Sequence, residues 1–373
     1  MSVKIPLFKI YWDKLDIENV ANSLASGLNW AIGENVGLFE NKIKRYVGTN
    51  CATVFNSGTS ALHSALLAYG IGQGDEVIVP SFTFVATANA PLFVGAKPVF
   101  ADVEEETFGL DPEDVMERIT THTKAIIPVH YGGCPCRIRE LKEIAQDNGL
   151  VLIEDAAESF GAKIEESRVG TFGDSAMFSF CQNKIITTGD GGAVTTDSEQ
   201  VRDKLELIRS HGQTKKPLGP EQNYGSDYVT LGYNFRMSNI VAALGMTQLD
   251  KADAIIGMRQ KNAHYLTSKL KRNDGEVVTP TSPSGYYPVY QMYTIRHPAR
   301  DQLMSHLFDR GIITKVYFPP VHQSFFFRQV LKCSSRLPVT EELATHVLTL
   351  PLWPHMKEEE MNYVVDEICS FRT

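Results

Sequence analysis

The chain has 373 residues, 43% hydrophobic and 21% charged, an ordinary balance for a folded protein long enough for two domains of about 100–200 residues. Its 36 Lys and Arg against 44 Asp and Glu give a formal net charge of −8. That balance excludes broad binding to nucleic acid or an anionic membrane, because both need a positive surface. Six cysteines in so long a chain exclude a disulfide framework. The one close pair, Cys134 and Cys136, has no second Cys/His cluster beside it, so no metal site is expected. The N-terminal MSVKIPLFKIYWDKLD lacks the long apolar core of a signal peptide, and no apolar run approaches the roughly 20 residues that span a bilayer. These features lead us to expect a cytoplasmic protein.

Over the first 250 residues, short β-branched runs alternate with helical stretches. ATVF breaks at Asn56-Ser57-Gly58, and a helix is expected to start at Thr59 or Ser60. Strands are expected at EVIVP (76–80), PVFAD (98–102), KAIIPV (124–129), VLIED (151–155), AMFSF (176–180) and GAVTTD (192–197). Several are apolar at consecutive positions, as parallel strands covered on both faces must be. DPEDVMERI and IRELKEIAQDNG between them have helical character; the second places Ile138, Leu141, Ile144 and Ala145 on one face and stops at Gly149. The stretch 210–228 is polar and loop-like, and an Ala- and Leu-rich helix follows from Ser238 to about Asp253. After TPTSPSGYYP come YQMYTIRH as a strand, DQLMSHLFDRG as a helix, ITKVYF as a strand and TEELATHVLTL as a helix. The expected fold is α/β: a large domain with a mainly parallel sheet over 1–252, then a smaller α+β domain over 253–373.

Three segments carry chemistry. In AMFSFCQNKIITTGDGGAVTTD, Lys184 follows a buried strand, so its amine sits in a partly desolvated crevice suited to a nucleophile, and glycines 189, 191 and 192 permit positive φ and close backbone approach. The alternative is a surface lysine beside a hairpin turn. In VLIEDAAESFGA, Asp155 falls at the carboxyl end of a strand, where ligands bind in open α/β sheets. A carboxylate there could hold the pyridine nitrogen of pyridoxal 5′-phosphate (PLP) protonated, making the ring an electron sink; its alternative role is a helix cap. In NSGTSAL, backbone amides at the helix start, with its dipole and hydroxyls, would hold a phosphate, although a capped helix with no ligand begins the same way.

Together with PSFTFVATANA, these segments resemble the DegT/DnrJ/EryC1/StrS family of PLP-dependent sugar aminotransferases, of fold type I. The resemblance extends to IGENVGLFE, HYGG (130–133), GYNFRMSNIVAALG (232–245), YFPPVHQSFFF and LPLWP (350–354), and so covers nearly the whole chain. It implies that Lys184 is the catalytic residue, forming the Schiff base with the cofactor and shuttling the proton. It also implies that Asp155 pairs with the pyridinium and that Glu158, where many members carry glutamine, contacts the 3-hydroxyl. Phe84 would stack on the ring, and Gly58, Thr59 and Ser179 would line the phosphate. Either Asn234 or Arg236 would reach the phosphate site of a neighbouring subunit, giving a homodimer with a composite site. His322 matches a family histidine near the sugar end, yet a lone histidine is more often structural, so it stays outside the site. The implied reaction moves an amino group from glutamate to a nucleotide-linked keto-sugar. NKIITTGDGG is similar to the branch that aminates C4 of 4-keto-6-deoxyhexoses, such as the perosamine synthases, although Asp190 stands where that branch commonly has glutamate. The alternatives are a C3-keto-sugar or ketocyclitol aminotransferase, and a PLP-binding regulatory protein without turnover, which would lack the lysine or add a DNA-binding domain. A plain nucleotide-binding module would need G-x-G-x-x-G after the first strand, which NSGTSAL does not provide.

Overall fold

The computed structural model describes residues 3–214, 227–271 and 276–372; of the polar stretch at 210–228, positions 215–226 lie outside it. Two helices, α1 (Lys14–Ala25) and α2 (Glu34–Val47), lead into strand β1 (Cys51–Phe55) and helix α3 (Gly58–Ala68). There follow β2 (Glu76–Pro80), α4 (Val85–Phe93), β3 (Lys97–Ala101), α5 (Pro112–Arg118), β4 (Thr123–Ile126), α6 (Ile138–Asp147) and β5 (Val151–Asp155). A small ribbon of β6 (Lys163–Ile164) and β7 (Ser167–Arg168) precedes β8 (Ser175–Ser179), β9 (Gly192–Thr196) and α7 (Glu199–Arg209). C-terminal to residue 226 lie α8 (Asn239–Asp250), α9 (Ala252–Leu270), β10 (Tyr286–Tyr287), β11 (Tyr293–Arg296), α10 (Arg300–Asp309), α11 (Pro338–His346), β12 (Val347–Leu350) and α12 (Glu358–Ser370).

The central sheet runs β1-β9-β8-β5-β4-β2-β3. β9 is antiparallel to both its neighbours, and the remaining pairings are parallel. Consecutive apolar residues serve opposite faces. Val77, Val79, Ile153 and Met177 pack with α3, α4 and α7, whereas Ile78 and Leu152 pack with α5 and α6, and Val54 and Phe178 with α2 and α8. Burying each such side chain contributes about 1.5–3 kcal/mol. The α/β expectation is met. A separate core gathers Ala263, Leu266, Tyr293, Ile295, Leu303, Leu348, Val364 and Trp353 around the β11–β12 pair.

Two C-terminal expectations are corrected. ITKVYF forms no strand; it touches β12 through the single Lys315–Thr349 bridge and then turns toward the cavity described below. TEELATHVLTL is helical only to His346, after which VLTL pairs antiparallel with β11. The β-branched Val347 and Thr349 gain backbone partners there that a helix could not bury as well. Among the described residues no helix is long and apolar enough to cross a membrane, and no group of three or more His, Cys, Asp or Glu could hold a metal.

Candidate active site

The carboxyl ends of β1, β2, β4, β5 and β8 share one edge of the sheet, and β9 starts from the same edge. A cavity of about 940 Å³ opens there. Gly58, Thr59, Phe84, Asp155, Glu158, Ser179 and Lys184 all line it.

Strand alternation separates two adjacent acids at the end of β5. Glu154 turns inward, where its carboxylate accepts N–H bonds from Gly170 (2.8 Å), Phe172 (2.9 Å) and Gly173 (2.8 Å) and lies 3.0 Å from His130 Nε2. The His130 Nδ1 accepts the Cys136 amide, so the ring N–H facing Glu154 is the one on Nε2. Asp155 faces the cavity. Its Oδ2 accepts from the Thr87 hydroxyl at 2.8 Å and its Oδ1 from the Ala157 amide at 3.1 Å. Burial pushes the Asp155 carboxyl above its ordinary range, against these donors and the Lys184 charge.

Glu158 is raised by burial in the same way, and the Lys184 charge and the Gly132 amide oppose the shift. Its Oε2 accepts the Gly132 N–H at 2.9 Å, and its Oε1 stands 3.6 Å from Lys184 Nζ. The Lys184 side chain is only 15% exposed, which removes the surface-lysine alternative. Gly189 has φ +85, whereas Gly191 and Gly192 serve close approach: a Cβ on Gly192 would lie 2.6 Å from the Gly58 nitrogen.

At the start of α3 the helix begins at Gly58, one or two residues earlier than expected, because Ser57 is the cap and its hydroxyl accepts from Ser60 N. A Cβ on Gly58 would fall 3.0 Å from Ser179 Cβ, so glycine leaves this corner open. Phe84 caps α4 and is 60% exposed, offering an unusually bare ring to the cavity. His322 is fastened between Ser81 (2.7 Å) and Glu341 (3.3 Å), a structural placement. Asn234 and Arg236 do not line the cavity; Arg236 donates to Ser210 Oγ, and the Asn234 carbonyl accepts from Asn56. Thr87 and Gly132 were missed in the sequence, since a single threonine and one backbone amide leave no periodic signal.

A buried lysine and two buried acids at the carboxyl edge of a mainly parallel sheet, facing a helix start, define an amine-chemistry enzyme of the α/β class. Residues 11–369 match the DegT/DnrJ/EryC1/StrS aminotransferase family, and the chain belongs to it. It is 35% identical to a GDP-perosamine synthase of Escherichia coli O157:H7, covering 98% of each chain. It is 39% identical to a UDP-N-acetyl-3-dehydro-alpha-D-glucosamine 3-aminotransferase of Acidithiobacillus ferrooxidans, over 84% of this chain and 81% of the relative. Among solved structures, Streptomyces venezuelae DesV in complex with a ketimine intermediate superposes with a TM-score of 0.90 at 34% identity, over 99% of this chain and 98% of that one. The protein is therefore a sugar aminotransferase, and its cofactor is PLP. The residues present fit that group. Asp155 is a buried acid aimed into the cavity, Lys184 opens into the same space, and the glycine at 58 leaves a cradle beside the α3 amides.

Proposed function

We propose that the enzyme transfers an amino group from glutamate to C4 of a nucleotide-linked 4-keto-6-deoxyhexose, with Lys184 as its catalytic residue. When bound, the cofactor supplies an aldehyde carbon for amines and a ring that withdraws electrons from the carbon being reprotonated. Lys184 Nζ would be the amine that holds the aldehyde carbon and, when free, would hold and move the proton at the substrate carbon. Asp155 would hold the ring nitrogen protonated, and Glu158 would hold the 3-hydroxyl. Phe84 covers the ring face, a contact favoured by dispersion and the ring quadrupole. Gly58, Thr59 and Ser179 receive the phosphate at the α3 start, and Asn234 or Arg236 reaches the same phosphate in a second copy of the chain. Glutamate leaves as 2-oxoglutarate, and the sugar carbonyl receives the nitrogen.

The observation that carries this reading is the meeting of the largely buried Lys184, Glu158 and Asp155 side chains in one cavity. The E. coli relative, named for perosamine synthesis, favours C4, with the NKIITTGDGG segment. The A. ferrooxidans relative, named for a C3 amination, supports the second reading, a 3-keto-sugar substrate. The test is absorbance of the purified protein with added PLP, then amine transfer to 4-keto and 3-keto nucleotide sugars. A visible band that shifts with glutamate is expected, with borohydride fixing the cofactor to wild type and not to Lys184→Ala, and with turnover on the 4-keto sugar. Borohydride that fixes the cofactor to a residue other than Lys184 would overturn the lysine assignment, and turnover on 3-keto sugars alone would overturn C4.

A further inference from the structure

A short bend at residues 289–292 bonds to the backbone beside both halves of the Lys184–Glu158 pair. Val289 donates its backbone N–H to the Gly133 carbonyl (2.9 Å), and Met292 donates to the Gly132 carbonyl (3.0 Å). Gly132 in turn donates to Glu158 Oε2. On the other side, Gln291 Nε2 donates to the carbonyl of Asn183, the residue before Lys184.

Gln291 is buried, and its Oε1 has no hydrogen-bond partner among the described residues. Flipping the amide would set Oε1 against the Asn183 carbonyl, acceptor to acceptor, so the Nε2 contact fixes its orientation. A buried acceptor left unpaired costs stability, which a side chain serving only to fill space would avoid by being apolar. The bend itself is tightly held. Tyr290 holds φ +49, in the left-handed region that bulky residues rarely enter. The carbonyls of Tyr290 and Gln291 accept from Arg259 Nε (2.9 Å) and Nη2 (2.7 Å) of α9. A Cβ on Gly133 would lie 2.8 Å from the Gln291 nitrogen, so the glycine turn and the bend are in close contact.

We propose that Gln291 is a positioning residue that sets the Lys184 amine against the Glu158 carboxyl, by tying the lysine loop to the same bend that holds the Gly132–Gly133 turn. It acts through Asn183, and Arg259 anchors it from behind. The inference rests on reading Lys184 as the lysine that bonds the cofactor.

Gln291→Met keeps the side-chain length and removes the donor, while Gln291→Glu donates only when its carboxyl is protonated. Each full-length protein, stripped of cofactor, is mixed with PLP. The growth of the visible band is timed, the band is titrated with pH, and borohydride trapping with peptide mapping locates the lysine. We expect Gln291→Met to bond PLP at Lys184 about tenfold more slowly, from loss of one hydrogen bond, with the band's pH midpoint displaced. Gln291→Glu recovers the rate as pH falls. Should Gln291→Met fail to fold, Gln291→Asn, whose amide is one methylene short of Asn183, carries the same expectation. Uptake rate and midpoint equal to wild type, with only a lowered melting temperature, would show that Gln291 merely fills space. Borohydride trapping of the wild type at a residue other than Lys184 would instead sink the reading of Lys184, so the two failures are told apart.

Discussion

Asp155 and Glu158 are acids that burial has made reluctant to ionise, and the nearest opposing charge they share is Lys184. With the folded-state value raised above the unfolded one, each acid adds stability that is fully present below the ordinary carboxyl range. That contribution is lost as pH rises through the raised value. Cofactor-free protein is therefore expected to melt at a lower temperature as pH climbs from about 4 toward neutrality, and Asp155→Asn should flatten that slope. On the role proposed for Asp155, the same substitution removes the partner of the ring nitrogen. A hydrogen bond to a charged group contributes about 1.5–3 kcal/mol, so PLP affinity should fall about 10- to 100-fold. Melting curves across pH and a PLP titration measure both effects; an unchanged affinity would remove Asp155 from its assigned role. Thr87, which donates to Asp155, shows why part of the site was hidden in the sequence. Its partner is 68 positions away, and no local pattern announces such a pair.

At the scale of elements, the helix start and the strands around it are coupled through glycine. Gly192, the first residue of β9, lies so close to the α3 start that a Cβ would meet the Gly58 nitrogen and the Ser57 carbonyl at 2.6 Å. Backbone cannot swing aside as a side chain can. Gly192→Ala is expected to push the α3 start away from Ser179 at a cost of about 1–3 kcal/mol in stability. It should weaken binding of PLP more than of pyridoxal, which lacks the phosphate; equal losses for the two would show that the α3 start holds no phosphate. Much of this frame was legible. EVIVP and VLIED stand as β2 and β5 with the expected bounds, because consecutive apolar residues facing two helical layers have few other solutions. The break between α8 and α9 was not. It turns on Lys251 alone, at ψ 0, within a pattern that stays helical on both sides. β12 was hidden similarly, since its apolar residues continue the stripe of α11, and only pairing with β11 decides between them. We propose that the division between the two units falls at the α8–α9 junction, because α9 sends Ala263, Leu266 and Leu270 into the C-terminal core.

The whole molecule raises the question of a second copy. Trp12, Leu28, Trp30, Ile32, Tyr228 and Leu231 are exposed in the single chain, a heavy load of large apolar side chains for a surface facing water. Asn234 and Arg236 lie just beyond Leu231, outside their own cavity. We propose that two chains pair and that one of these polar residues enters the partner's phosphate site, so each site draws Lys184 from one chain and Asn234 or Arg236 from the other. Mixing two inactive proteins tests this. Lys184→Ala lacks the amine in both its sites, and Arg236→Ala lacks the cross-subunit contact in both of its own. In a mixed dimer, one site carries both defects, while the other combines an intact Lys184 with an intact Arg236. After unfolding and refolding equal amounts together, half the dimers are mixed and half their sites are whole, so about a quarter of the wild-type rate should return. The same mixture made with Asn234→Ala identifies which residue crosses: only the variant that is inactive alone and restored by mixing supplies the contact. If both variants are inactive alone and neither regains activity with Lys184→Ala, the site is complete within one chain and the pairing proposal fails.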